Sequence, residues 1–281
     1  MKKTFYTILV LSSSIYANST ILYEYGNKDY KNSMTKIDGK VQNIKYKYFN
    51  KSHELQLGIQ SDNVNRKHSI LNINLPSLDV EKYSAKYIYN LNDTLSLKGS
   101  FIKIIDNLAP TDQGKVYGLG VNYNILKGFS TSLNYYKSDY NSFNVNQYDI
   151  SFSKVFKIDD VKLKASIIAK KIDIDGSNYG AYIFKDKDYF TSGVKLGANY
   201  NSFTLGAGAF FGERIFTVLD NGMKVQHHAM QQDKTYMFSV GKKFKNFDII
   251  AKYSYQNGKE LPENRDDVDT KVTAISLIYK F

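Results

Sequence analysis

The sequence contains no cysteine and no tryptophan, and it has only three prolines and four histidines among its 281 residues. The absence of cysteine excludes a disulfide framework, a thiolate metal site and a lipid-modified N-terminal cysteine. Apolar residues make up 42% of the chain but do not form the run of about 20 that a membrane-spanning helix needs. The chain is therefore not a helical membrane protein, and its apolar residues must be dispersed among polar ones.

Basic residues outnumber acidic residues by 38 to 27, which gives a formal net charge of +11. Binding of nucleic acid requires basic residues that cluster on one face or arm of a protein. Here the lysines are spread along the chain and alternate with apolar residues. The charge therefore indicates solubility and attraction to an anionic surface, and nucleic acid is not an expected partner.

The first residues have the order of an export signal. The basic pair at 2–3 precedes an apolar run at 5–11, and small residues follow up to Ala17. Cleavage is expected after Ala17 or Ser19, which form a small-x-small pattern. The apolar run is too short to cross a bilayer as a helix. We therefore interpret 1–17 as a signal peptide and expect the rest of the chain to be exported.

Beyond the signal, apolar residues recur at every second position. Val161, Leu163 and Ala165, for example, alternate with Lys162 and Lys164. Successive side chains of a strand point to opposite faces, so this period predicts strands and not helices. Fourteen strands are predicted, at 20–26, 39–49, 52–61, 80–90, 93–104, 115–125, 128–139, 144–156, 160–172, 189–200, 202–212, 234–244, 247–256 and 270–281.

The predicted connections alternate between two kinds. One kind is tight and consists of Lys51, 91–92, 126–127, 157–159, Asn201 and 245–246. The other kind is generally longer and consists of 27–38, 62–79, 105–114, 140–143, 173–188, 213–233 and 257–269. Pro76, Pro110 and Pro262 all fall in the longer kind, as expected of a residue that cannot donate to a strand ladder.

Short turns on one side and long loops on the other are typical of bacterial outer-membrane barrels. We therefore predict an all-β fold, a transmembrane antiparallel up-and-down β-barrel of about fourteen strands, formed by 18–281 as a single domain. Counts of twelve or sixteen strands stay open. A soluble β-sandwich or lipocalin-like barrel is the alternative. It is disfavoured because most predicted strands reach the roughly nine to eleven residues that a tilted strand needs to cross a bilayer.

The last strand carries a resemblance to a known class of proteins. Thr273, Ile275, Leu277, Tyr279 and Phe281 lie on one face of it. A chain that ends in phenylalanine, preceded at alternate positions by tyrosine and aliphatic residues, resembles the terminal strand of Gram-negative outer-membrane proteins. The resemblance implies an outer-membrane location and identifies Phe281, Tyr279, Leu277 and Ile275 as the signal read by the barrel-assembly machinery. Further partners that it implies are periplasmic chaperones, outer-membrane lipid and lipopolysaccharide.

Charged residues at alternate positions are expected to face the lumen, because a charge that faces lipid near the midplane costs about 2–4 kcal/mol. The residues predicted to line a pore are Lys45, Lys47, Lys82, Lys86, Lys98, Lys162, Lys164, Lys170, Lys195, Lys252, Glu24 and Glu54. Lysines dominate this set, so the lumen is expected to favour anions. The inward-facing glycines are expected to leave room for water, and they are Gly58, Gly118, Gly120, Gly197, Gly206, Gly208 and Gly241.

The expected function is passive diffusion of small hydrophilic solutes through a porin-like channel of the monomeric fourteen-strand type. A plugged fatty-acid transporter is disfavoured, because the first strand starts just after the signal and leaves no N-terminal plug. A surface adhesin or structural anchor is an alternative. A barrel lipase or protease is a weaker one, because no G-x-S-x-G motif occurs and the histidines lie in loops or near a turn. No catalytic residue is predicted.

The longest connection, 213–233, holds His227 and His228 together with Asp220 and Asp233. It could fold into the lumen as a constriction, cover the mouth of the barrel or bind a partner. A histidine pair with nearby acids can take a metal ion. The spacing is unspecific, however, so the sequence predicts neither a metal site nor a cofactor.

Overall fold

The computed structural model describes residues 18–281, and the signal peptide predicted at 1–17 lies outside the described residues. Fourteen antiparallel strands close into one barrel. The barrel strands are β1 (Ser19–Lys31), β2 (Lys36–Phe49), β3 (His53–His68), β4 (Ile73–Asn90), β5 (Leu95–Asp106), β6 (Lys115–Leu126), β7 (Phe129–Asp139), β8 (Phe143–Ile158), β9 (Val161–Gly176), β12 (Asp188–Tyr200), β13 (Phe203–Arg214), β16 (Met230–Lys243), β17 (Phe247–Glu260) and β18 (Arg265–Lys280). Two short ribbons lie within loops, β10 (Asn178–Tyr179) with β11 (Tyr182–Ile183) and β14 (Val218–Leu219) with β15 (Lys224–Val225).

The barrel closes between its first and last strands. β1 pairs with β18 from Thr20 opposite Lys280 to Lys31 opposite Asp269, and the remaining strands pair with their neighbours in chain order. A closed sheet has no edge, so it leaves no backbone hydrogen-bonding group facing lipid. The predicted fold class and the fourteen strands are confirmed. The predicted longer loops are found at 107–114, 177–187 and 215–229, whereas the other four have only three or four residues.

The outer face of the barrel is apolar. Leu119 and Ile167 expose 69% and 62% of their surface there, as expected of side chains that face lipid. Tyr87, Tyr123 and Tyr200 lie near the short turns and are also exposed, in the manner of an aromatic belt at a membrane interface. Among residues 18–281, no helix is long and apolar enough to cross a membrane.

The predicted assembly signal lies on this outer face. Ile275, Leu277 and Tyr279 of β18 are exposed, and the ring of Tyr279 packs edge-on against Phe281 with centroids 4.8 Å apart. β18 is hydrogen-bonded to both β1 and β17, so both of its edges are paired in the closed barrel. Recognition of these side chains by an assembly machinery stays a prediction.

Several strands extend further toward the loops than the sequence indicated. β3 and β4 stay paired as far as His68 opposite Ile73. The loop predicted at 62–79 is therefore mostly a hairpin, and only four residues, 69–72, connect its two strands. The alternating pattern had faded there, which is why the extension was missed.

Pro76 lies inside β4, so the prediction that every proline lies outside the strands is wrong at this position. The register of the hairpin shifts at the proline, from Val64 opposite Leu78 to Arg66 opposite Leu75. On its other side, β4 begins to pair with β5 only at Val80. Around Pro76, β4 therefore pairs with β3 alone, and the register shift is a bulge. At such a position the missing N–H donor of proline costs little.

Candidate functional site

The twelve residues predicted to line a pore all lie on the inner face of the barrel. The cross-strand register puts their rows side by side, for example Lys45 opposite Gly58 and Lys86 opposite Ser100. Five of them are buried within the lumen, namely Glu24, Lys82, Lys86, Lys98 and Lys170. Their role in conduction stays a prediction, because the position of a side chain on the inner face does not by itself show a conducting pore.

The inner face consists of two halves with different chemistry. The half next to the short turns is polar and includes Lys47, Gln56, Lys86, Lys98, Asn122, Ser132, Ser151 and Lys164. The half next to the loops is mostly apolar and buried from β3 to β9, with Asp62, Lys82 and Asp106 as its charged residues there. Its apolar residues on these strands include Val64, Leu78, Val80, Ile102, Ile104, Val116, Val145, Ile172 and Ile174. An apolar inner face is stable only when something removes it from water.

The connection between β13 and β16 covers this apolar half from the inside, and we call its residues 215–229 the lumenal plug. Phe216 and Val218 of the plug are 0% and 1% exposed. They belong to the same buried cluster as Ile102 and Ile172 of the barrel wall. Of the three arrangements considered for this loop, the structure therefore shows insertion into the lumen. The expectation that the inner face as a whole is polar and wet is wrong for the loop-side half.

Aromatic rings surround Phe216 of the plug. The ring of Phe216 lies 4.8 Å from that of Phe143, 5.6 Å from that of Tyr179 and 5.9 Å from that of Tyr140, measured between centroids. Phe184 adds an edge-on contact with Phe216 at 6.1 Å. Aromatic pairs contribute about 0.5–1.5 kcal/mol each beyond the burial of their area. The plug is therefore fixed by residues of two neighbouring loops as well as by the wall.

A buried glutamine fixes the backbone of the plug. The side-chain amide of Gln147 on β8 donates to the carbonyl oxygen of Val218 at 2.9 Å, and its oxygen accepts from the N–H of Val218 at 2.7 Å. Lys170 on β9 donates to the same carbonyl at 3.2 Å and pairs with Asp149 at 2.5 Å. Gln147 is only 1% exposed, so these bonds satisfy polar groups that water cannot reach.

Ion pairs connect the plug to the opposite side of the barrel. Lys224 of the plug pairs with Glu24 of β1 at 3.1 Å, and Lys252 of β17 pairs with the same carboxylate at 2.5 Å. Asp220 of the plug pairs with Lys45 of β2. The plug thus bridges the lumen from β8 and β9 to β1 and β2.

The inward glycines make room for neighbouring side chains more than for water. A Cβ atom at Gly118 would lie 2.6 Å from the ring of Tyr136, its neighbour on β7. A Cβ atom at Gly58 would lie 3.4 Å from the Cε of Met223 in the plug and 2.5 Å from the Oγ of Ser84. At these two positions the expectation that glycine leaves space for water is wrong, because protein atoms occupy the space.

Two cavities remain between the plug and the barrel wall. One has a volume of about 290 Å³ and is bordered by Asp62, Lys82 and both His227 and His228. The second has a volume of about 430 Å³ and is bordered by Lys195 and Lys252 among others. Their lining residues in common are Glu24, Lys224, Ser254, Val272 and Ala274. Space inside the barrel therefore runs along the plug from the level of the histidines toward the lysines.

Five of the predicted lining lysines have no carboxylate within ion-pair distance among residues 18–281, and they are Lys86, Lys98, Lys162, Lys164 and Lys195. Lys98 donates to the side-chain oxygen of Asn122 at 3.0 Å, and Lys195 lies over the ring of Phe210. These contacts leave the positive charges uncompensated. The turn-side half of the lumen therefore carries an excess of positive charge.

A cluster of one carboxylate and two imidazoles lies where the plug meets β5. Asp106 Oδ2 is 3.2 Å from Nε2 of His227 and 3.6 Å from Nε2 of His228. Burial lowers the pKa of His227 well below its usual value, and the neighbouring His228 lowers it further. Burial also lowers the pKa of His228, to about 4. Both rings are therefore neutral at neutral pH.

The sequence analysis missed Asp62, Asp106 and Gln147 as residues of the site. A signal for the plug was nevertheless present, because the run from Phe101 to Ile105 is apolar on both strand faces except at Lys103. A strand that is apolar on both faces is buried on both faces. The partners of such a strand inside the lumen could not be identified from the pattern.

The barrel is similar in fold to solved outer-membrane proteins. CymD, a monoaromatic hydrocarbon channel, superposes with a TM-score of 0.62 at 10% sequence identity over 95% of this chain and 89% of that chain. The Pseudomonas putida toluene transporter TodX gives 0.62 at 11% identity over 97% and 91%. A FadL homologue from Pseudomonas aeruginosa gives 0.56 at 11% identity over 94% and 90%.

No protein-family profile and no curated protein matches the sequence. At such low identities the structural likeness concerns the fold, which is that of fourteen-strand Gram-negative outer-membrane barrels. Together with the closed sheet and the apolar outer face, it assigns the chain to the outer membrane, as the terminal strand predicted. The lumen does hold a plug, and the connection between β13 and β16 forms it.

Proposed function

Since the chain is a closed fourteen-strand barrel of the outer membrane, we propose that it is a channel for small hydrophilic solutes that favours anions. In this proposal the lumenal plug keeps the channel closed or narrow in the described conformation. The observation that carries the proposal is the group of five inward lysines without a carboxylate partner among the described residues. A lumen with uncompensated positive charge attracts anions and repels cations.

The chemistry of the cavities supports a polar solute. Glu24, Lys82 and Lys224 border the space beside the plug, and charged groups favour ligands that can form hydrogen bonds with them. TodX and CymD are named for toluene and monoaromatic hydrocarbons. An apolar solute would have to displace water from the charges here without replacing its hydrogen bonds, which costs free energy.

Movement of the plug is a part of this proposal. The contacts between plug and wall are side-chain hydrogen bonds, ion pairs and aromatic contacts, and none is covalent. Loops that close a site in this way open on the microsecond to millisecond scale in many proteins. We therefore expect a channel that is closed most of the time and opens briefly.

Single-channel recording tests the proposal directly. Folded protein in a planar bilayer should give discrete conductance steps, and a salt gradient should give a reversal potential of the sign expected for anions. A cation-selective reversal potential would refute the anion preference. An absence of steps, both in the intact protein and after removal of the plug, would refute the channel and favour an anchoring or adhesive role.

A further inference from the structure

Asp106, His227 and His228 come from distant parts of the chain and meet at one point in the lumen. Asp106 ends β5, and the two histidines lie in the plug, 121 residues further on in the case of His227. One ligand atom of each residue lies within 4.8 Å of the other two. Asp106 and His227 are buried, and His228 is mostly buried.

Two of the three separations match those of ligands around a metal ion. Nitrogen and oxygen ligands lie about 2.0–2.2 Å from zinc, and in a tetrahedral site this separates them from one another by about 3.3–3.5 Å. The two measured separations from Asp106 Oδ2 are 3.2 Å to His227 and 3.6 Å to His228. An ion can therefore occupy the centre of the cluster with small movements of the side chains.

The carboxylate is held in the orientation that such a site requires. Its Oδ1 atom accepts hydrogen bonds from the backbone N–H groups of Leu108 at 2.9 Å and Ala109 at 2.8 Å. This fixes the side chain of Asp106 and leaves Oδ2 directed at the imidazoles. Metal-ligating carboxylates commonly have outer hydrogen bonds of this kind.

One ring nitrogen lacks a hydrogen-bond partner. His227 can donate from Nε2 to Asp106, but Nε2 of His228 is shielded from solvent and has no hydrogen-bond partner. Buried polar atoms usually have a partner. Both histidines border the cavity of about 290 Å³, which gives an ion or a water molecule access to them.

The lysines around the cluster are engaged in ion pairs. Lys36 pairs with Glu260 at 2.5 Å. Lys82 and Lys28 share Asp62, at 3.0 Å and 2.6 Å. The cluster itself offers one carboxylate and two imidazole nitrogens, a donor set that suits a divalent transition metal.

We propose that Asp106, His227 and His228 bind one divalent transition-metal ion, with zinc as the best fit, and that the ion joins the plug to the barrel wall. Three protein ligands leave a fourth position for water from the adjoining cavity. The proposal goes beyond channel function, since the site would bind metal whether or not the barrel conducts.

Zinc binding by the full-length protein, folded in detergent, tests the proposal without any measurement of conductance. Protein stripped with a chelator should take up one zinc ion per barrel, measured by calorimetry and by competition with a chromogenic chelator. His228→Gln and Asp106→Asn should each weaken binding at least about tenfold, because each removes a ligand. His68→Gln, at a half-buried histidine that ends β3 outside the cluster, should bind as the unchanged protein does.

Heat-modifiable mobility on gels shows whether each variant has folded. If a variant does not fold, cobalt added to the unchanged protein decides the matter, because a tetrahedral site gives intense visible absorption that zinc should abolish. The proposal fails if no stoichiometric zinc binding occurs. It also fails if folded His228→Gln and Asp106→Asn bind zinc as tightly as the unchanged protein does, or if cobalt gives only the weak spectrum of an octahedral aquo ion.

Discussion

The two halves of the lumen share the same strands but differ in what fills them. On β5 the inner face changes from Ile104 and Ile102 to Ser100 and Lys98, and on β9 it changes from Ile172 to Lys170. The plug extends to this boundary and stops there. A Cβ atom at Gly222 near its tip would lie 2.8 Å from the Cβ of Ser100, and Lys170 bonds to Val218 of the plug. The depth of the plug is therefore set by where the apolar wall ends.

Removal of the plug gives the largest expected effect, because neither half of the lumen is then filled. Replacement of 215–229 by a short Gly-Ser linker exposes the apolar wall and opens the lumen. Conductance should rise on the order of tenfold, because a fourteen-strand barrel is wider than the eight-strand barrels that side chains fill. Replacement of 69–72 by a linker of the same kind serves as the control, because all four residues of that loop are exposed. An unchanged conductance after removal of the plug would contradict the role of the plug.

Loss of one aromatic ring should weaken the packing of the plug against the loop-side half of the lumen without removing the plug. Phe216→Ala deletes a fully buried side chain at the centre of the aromatic contact. Such a deletion costs about 3–5 kcal/mol, and here the cost falls on docking of the plug. The fraction of time in the open state should increase strongly in single-channel records. Phe190→Ala, at an exposed position on the outer face, should leave gating unchanged.

The glutamine contact should have a smaller effect. Gln147→Leu keeps the size of the side chain but leaves the N–H of Val218 without its partner, which costs about 1–3 kcal/mol for a buried donor. Proteolysis of the plug in folded protein should become faster. Gln56→Leu is the matched control, because Gln56 faces inward but bonds to Glu54 and not to the plug. Equal protease resistance in both variants would show that Gln147 does not hold the plug.

Charge reversal in the turn-side half of the lumen should change ion selectivity and not gating. Lys164→Glu with Lys195→Glu replaces two unpaired inward lysines on adjacent strands, where they face Gly197 and Ser166. The ratio of anion to cation permeability should fall about two- to fourfold, because the lumen loses positive charge. Lys154→Glu changes the same charge on the outer side of β8 and should have little effect on the reversal potential.

The wall of the barrel was predictable because it depends on a local rule. A period of two, short turns and longer loops specify each strand and its neighbours, so Val161 to Ala165 are enough to identify β9 as a strand. The lumenal plug depends on contacts that no local pattern contains. Phe216 meets Phe143 and Tyr179, and His227 meets Asp106, only after closure of the barrel brings distant loops together.

A similar limit applies to the lining residues. Alternation placed the lysines on the inner face, but it did not distinguish Lys82, which pairs with Asp62, from Lys164, which has no carboxylate partner within residues 18–281. Pairing across strands depends on register, and register is fixed by the whole closed sheet. The selectivity of the lumen therefore cannot be predicted from the number of lysines alone.

The central claim is that the plug lies inside the barrel against β5, and an engineered disulfide tests it most directly. The chain has no cysteine, so Ser100→Cys with Gly222→Cys introduces only the two thiols of interest. Their Cβ atoms start at 2.8 Å, which is closer than the usual disulfide range, and Gly222 has a φ of +89° that cysteine adopts only with strain. The tip of the plug must therefore move by about 1 Å when the bond forms. Mild oxidation of folded protein should form the cross-link and block labelling by a maleimide reagent. Two thiols that stay reduced and become labelled in the folded barrel would contradict the account.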